Sequence, residues 1–252
     1  MTSASAVGPL ARLADVRTRT LELVEPLSDS DAEAVHSPLM SPLAWDLGHI
    51  AAFEDLWLVH RAAGEPLLRP GLAEIYDALE TPRAHRGELQ FLGRSAALDY
   101  LAEVRGRVEE LAPSDVLLQE LVIQHELQHN ETMLQTLALA RLDGYVPPGY
   151  VSPADQRLPQ VEQRTPTGLE TVVVPPGAFE LGAPAGRFSY DNERPRHTTD
   201  VPAFEIGRVP VTNGAFGEWI AAGGYARREW WSEAGWEWRR ASGVERPGSW
   251  FD

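Results

Sequence analysis

A chain of 252 residues, 43% of them hydrophobic, is long enough for one large domain or two ordinary ones and too apolar for global disorder. Its formal net charge of −15 argues against nucleic acid or an anionic membrane surface as a partner, since both demand clustered lysine and arginine. Without cysteine there is no disulfide, thiolate nucleophile or thiolate zinc site, and no apolar run reaches the roughly 18 residues of a membrane span.

Met1–Leu10 shows no basic segment followed by an apolar stretch, so no signal peptide is expected and the cytoplasm is the expected location. The run "LARLADVRTRTLELVEPL" spaces Leu10, Leu13, Val16, Leu21 and Val24 at helical intervals. "SPLAWDLGHIAAFEDLWLVHRAAG" predicts a second helix with Ser41 as N-cap, Pro42 in the first turn and a stop at Gly64. "AALDYLAEVRGRVEELA" predicts a third, and the stretch from Ser114 to Gly144 a fourth. Four long helices across 8–144 predict an up-and-down bundle, an architecture in which facing side chains build metal sites. Pro147, Pro148, Pro153, Pro159 and Pro166 predict a linker over 145–168. From 169 to 252, short β-type runs such as "LETVVVPPGAFELGA" alternate with Gly/Pro turns, and six of the eight tryptophans lie between Trp219 and Trp250. The expected class is therefore α plus α+β.

The fourth helix carries "HELQH", residues 125–129. His125 and His129 share one helix face, about 6 Å apart along the axis, and both can reach one metal. The pentapeptide matches the H-E-x-x-H signature of zinc proteases, in which Glu126 would be the general base. The metzincin extension needs Gly at 132 and His at 135, where this chain has Thr132 and Gln135, and a more distant glutamate ligand stays open. The helix reads as apolar nearly all round, which predicts a central position. Histidines buried there need a metal, a carboxylate or backbone as partner.

A third histidine, His49 in "WDLGHIAAFEDLW", shares a broad face with Trp45, Phe53 and Leu56, and a neighbouring helix could set it against the 125/129 pair. Three imidazoles suit zinc, copper, iron or nickel and leave open coordination positions, as catalytic sites do. His36, His60, His85 and His197 have no comparable spacing and read as surface residues.

Four blocks, "SPLMSPLAWDLGHIAAFEDLWL", "IYDALETPRAHRGEL", "QHELQHNETMLQTL" and "VPVTNGAFGEWIAAGGY", resemble in this order the sulfoxide synthases of ergothioneine biosynthesis, the hercynine oxygenases, across about residues 10–252. The resemblance implies a DinB-like four-helix bundle followed by a C-type-lectin-like domain similar to formylglycine-generating enzyme. It implies non-haem iron(II) and O₂, and a sulfoxide product joining the sulfur of γ-glutamylcysteine (or cysteine) to the imidazole of hercynine. It further implies His49, His125 and His129 as iron ligands, Gln128 as a contact to hercynine, and Arg83 as the grip on a carboxylate of the thiol substrate. The tryptophans of the second domain would be core, or an aromatic wall for a quaternary ammonium. That domain is shorter than in the resembling enzymes, so the expected catalytic tyrosine lies beyond Asp252 and the chain reads as C-terminally truncated. Three alternatives share these residues: a DinB-type metal-dependent thiol transferase, a synthase coupling a selenosugar to hercynine, and a non-catalytic metal-binding remnant.

Overall fold

Pro9 supplies the fixed φ that favours the first turn of a helix, and α1 runs Pro9–Val24. This computed structural model describes residues 8–149 and 170–248. The chain divides into two units, Met1–Val151 and Ser152–Asp252. In the first, a short α2 (Asp29–Glu33) is capped by Ser28, whose Oγ accepts from Asp31 N at 3.1 Å. Then come α3 (Leu43–Glu54), α4 (Arg94–Leu111) and α5 (Val116–Ala140), which with α1 make the predicted four-helix bundle.

The second predicted helix differs from expectation at its start and in its later winding, and stops at Gly64 as expected. Pro42, not Ser41, occupies the N-cap, and Ser41 Oγ instead accepts from Arg86 Nη1 at 2.8 Å. The Ser41 hydroxyl is directed at Arg86, and no side-chain cap bond is made at this helix start. After Glu54 the helix widens to π-type winding over Asp55–Ala62 and ends at Gly64, whose φ of +76° only glycine adopts freely. The fourth helix starts later than Ser114, because Asp115 takes the cap and accepts from Leu117 N and Leu118 N, each at 3.0 Å. It ends at Arg141, ahead of Gly144.

Leu13 of α1, Leu47 and Ile50 of α3, Leu101 and Val104 of α4, and Ile123 and Met133 of α5 meet in one core. Each such side chain contributes about 1.5–3 kcal/mol on full burial. The expectation that the fourth helix is central is corrected: Val116, Leu117, Leu134 and Leu139 of α5 are exposed, so the helix buries one side only. Its other side is apolar in composition without being interior.

Among its described residues the second unit has two antiparallel pairs. β1 (Thr171–Val174) pairs with β4 (Phe204–Gly207), and β2 (Gly177–Leu181) with β3 (His197–Val201). α6 (Asn213–Ala221) is capped by Thr212 and α7 (Glu233–Ser242) by Ser232. Trp219 packs against Tyr225, Trp230 and Trp231, and a Cβ on Gly224 would lie 2.4 Å from the Trp219 indole, so the glycine lets the ring close on the backbone. Among the described residues every buried core hydrophobic belongs to the first unit, while Phe179, Ile206, Trp230 and Trp238 are exposed. The mixed helix and sheet class is as expected. Of the predicted linker, Tyr145 donates to Leu23 O at 3.0 Å, and residues 150–168 lie outside the described residues.

Candidate metal centre

α3 brings His49 against α5, where one turn separates His125 and His129. The three residues each offer a ring nitrogen, and these nitrogens lie within 4.8 Å of one another. His49 Nε2 stands 3.1 Å from His125 Nε2. His49 Nδ1 is 2.7 Å from the carbonyl of Tyr76, so it donates its proton there and turns an Nε2 lone pair toward His125. Gly48 makes this possible, because a Cβ at that position would lie 2.2 Å from the Tyr76 ring. Trp45 stacks on His49 with centroids 4.9 Å apart, and Phe53 stacks on His125 at 3.6 Å.

Burial pushes His49 down to about 4, with His129 adding to the effect, and burial likewise pushes His125 well below the ordinary value. Both rings are therefore neutral near pH 7, the form that ligates a metal. Three imidazoles with ring nitrogens this close together fit a first-row divalent ion.

Glu126 points elsewhere. It is fully buried, Arg17 Nε donates to its Oε1 at 2.7 Å, and Thr20 Oγ1 lies 2.7 Å from the same oxygen. Arg17 Nη2 also reaches Glu54 Oε2 at 2.6 Å, and Arg105 Nε donates to Glu54 Oε1 at 2.6 Å. Burial alone would raise the Glu54 carboxyl, but Arg17 and Arg105 more than offset this and hold it below the usual carboxylate range. Two arginines and two glutamates thus form a neutral cage tying α1, α3, α4 and α5. A carboxylate occupied this way cannot serve as a protease base, which removes the reading that "HELQH" first suggests. The signal was in the sequence: Arg17 and Thr20 fall on the buried stripe of Leu13, Val16 and Val24, and Arg105 on that of Leu101, Val104 and Val108.

Gln128 is exposed on α5 between the two histidines. Arg83 is exposed at the start of a 3₁₀ turn, Arg83–Glu88. The buried member of that turn is Arg86. Its guanidinium lies 3.8 Å over the Trp45 ring and donates to Thr81 O at 2.9 Å, so it joins the shell around His49, a role that sequence reasoning missed. His60, His85 and His197 are exposed as expected. His36 is half-buried instead, with Nε2 2.7 Å from Asp31 O.

Residues 12–133 match the DinB superfamily, and residues 155–249 match the sulfatase-modifying factor enzyme 1-like domain. The hercynine oxygenase of Mycolicibacterium thermoresistibile is 41% identical, an alignment covering 96% of this chain and 54% of that protein. That of Mycolicibacterium smegmatis is 42% identical over 94% of this chain and 56% of its own length. The formylglycine-generating enzyme of Mycobacterium tuberculosis is 46% identical over 56 residues, 22% of this chain and 18% of the enzyme. The chain spans about half the length of the curated hercynine oxygenases it matches. It is similar to the hercynine oxygenases along nearly its whole length, with a DinB-like helical domain ahead of a sulfatase-modifying-factor-like one.

Proposed function

We propose that this chain is part of a non-haem iron(II)- and O₂-dependent oxygenase of ergothioneine biosynthesis. It would join the sulfur of γ-glutamylcysteine (or cysteine) to the imidazole of hercynine and give a sulfoxide. The observation that carries the reading is the convergence of three imidazole nitrogens within 4.8 Å, in a chain whose relatives are named for acting on hercynine. His49, His125 and His129 would hold the ion. When bound, iron supplies the redox chemistry with O₂. His49 stays oriented through Tyr76 O and the Trp45 stack, so its nitrogen needs no reorganisation to bind. Gln128, exposed one residue before His129, would orient hercynine beside the ion, and its amide is matched to an imidazole N–H or lone pair. Arg83, exposed, would take a carboxylate of the thiol substrate through its two-pronged guanidinium. Glu126 contributes no proton, because its oxygens are committed to Arg17 and Thr20.

No helix among the described residues is long and apolar enough to cross a membrane, and small soluble substrates fit a cytoplasmic location. The test is anaerobic iron(II) binding, followed by O₂ and both substrates with mass-spectrometric detection of the sulfoxide. We expect about one iron per chain for wild type and loss of most of that affinity in His49→Ala. Equal binding by the two proteins sinks the three-histidine site. O₂ consumption without hercynine-derived sulfoxide sinks the substrate assignment.

A further inference from the structure

We propose that Asp46 is a positioning residue for His129: it accepts the Nδ1 proton, so that Nε2 is the nitrogen offered to a metal. The inference rests on the three-histidine reading above and names how one of its members is held. Asp46 sits on α3 three residues before His49 and is 4% exposed. Its Oδ1 lies 3.5 Å from His129 Nδ1. That nitrogen is buried and makes no hydrogen bond among the described residues, whereas the corresponding nitrogen of His49 is met by Tyr76 O. A buried ring nitrogen without a partner, facing a carboxylate just beyond hydrogen-bond length, is a contact poised to close by a few tenths of an ångström.

The other buried carboxylates nearby are already engaged. Glu54 and Glu126 hold arginines, and Asp55 accepts from Tyr100 at 2.9 Å and from Leu68 N at 2.9 Å. Among the described residues, Asp46 is the buried carboxylate that faces a histidine. Its place in the first turn of α3 suits a negative charge, and Arg86 adds a positive charge nearby. A carboxylate partner fixes the ring's tautomer and strengthens the opposite nitrogen as a donor. One helix would then supply one ligand and orient a second on another helix, tying the geometry of the site to the packing of α3 on α5.

The probe is cobalt(II), titrated anaerobically into wild type, Asp46→Asn, Asp46→Glu and His49→Ala, with the visible cobalt spectrum as readout and circular dichroism to check the fold. We expect Asp46→Asn to weaken cobalt on the order of 10–100-fold, Asp46→Glu to recover part of it, and the helical signal to stay. Cobalt lost in His49→Ala but bound within twofold of wild type by Asp46→Asn overturns the Asp46 assignment and leaves the histidine site standing. Cobalt retained by His49→Ala sinks the site itself. Should Asp46→Asn fail to fold, ¹⁵N NMR of zinc(II)-loaded wild type decides: a protonated Nδ1 on His129 upholds the assignment, and zinc on Nδ1 overturns it.

Discussion

His125 and Glu126 are adjacent in sequence and enter opposite kinds of buried surroundings. His125 joins two other imidazoles whose ring nitrogens lie within 4.8 Å of one another and contact no carboxylate or guanidinium within hydrogen-bond length, so the cluster has capacity left for an ion. Glu126 joins a cage in which each charge is matched by hydrogen bonds to the opposite charge, so the cage has none. A residue advances about 100° around a helix relative to its neighbour, and that rotation sends the two side chains to different neighbours. The comparison shows that buried polar groups mark a reactive site only where their valence is incomplete. Complete satisfaction marks a structural tie.

Four experiments bear on this contrast, taken from the largest expected effect. Glu126→Ala leaves Arg17 with one carboxylate fewer in a buried setting, and urea unfolding should show a loss of about 3–5 kcal/mol. A loss under about 1 kcal/mol would mean the cage is not a structural tie. The imidazole cluster should answer to pH instead. The folded His49 value of about 4 lies below its ordinary 6.5, so the unfolded chain takes up the proton first. Stability of the metal-free protein then falls as pH drops from about 6.5 toward 4, by about 2 kcal/mol between pH 7 and pH 5 from His49 alone. His125 acts in the same direction, and Glu54, held low, adds its own loss only below about pH 4.5. Comparing urea midpoints at the two pH values for wild type and His49→Gln checks this, and a profile equally steep in the variant would refute it.

Within the cage, Thr20→Val removes a hydroxyl lying 2.7 Å from Glu126 and 2.9 Å from Asn130. The expected loss is about 1 kcal/mol by the same unfolding assay. Smallest of all is Arg19→Ala. Arg19 is on the same helix as Arg17, but its pair with Asp15 is 61% and 65% exposed, and its loss should stay under about 0.5 kcal/mol. If Arg19→Ala rivalled Thr20→Val, burial would not be what separates these contacts.

Much of the bundle was legible from periodicity. Apolar residues at helical spacing located four long helices, and those segments are helical because their buried stripes meet in one core. The histidine pair at 125 and 129 was legible for the same reason. Periodicity misled on α5, where Leu117, Leu134 and Leu139 are apolar and exposed, because composition cannot say which side of an apolar helix meets the core. The capping signal misled at Ser41, whose hydroxyl serves a guanidinium 45 residues later in the chain. The second unit was legible only as a class, since its short strands pair β1 with β4 and β2 with β3 across intervals that alternation does not encode.

By itself, the sequence determined that His125 and His129 share a helix face, because residues four apart lie about one turn from each other. Only the tertiary structure decided that His49 completes the cluster, that Asp46 faces His129, and that Arg17 and Arg105 close the cage. Those contacts join helices far apart in the chain. Their pairing is set by how whole buried faces pack, which no local stretch specifies.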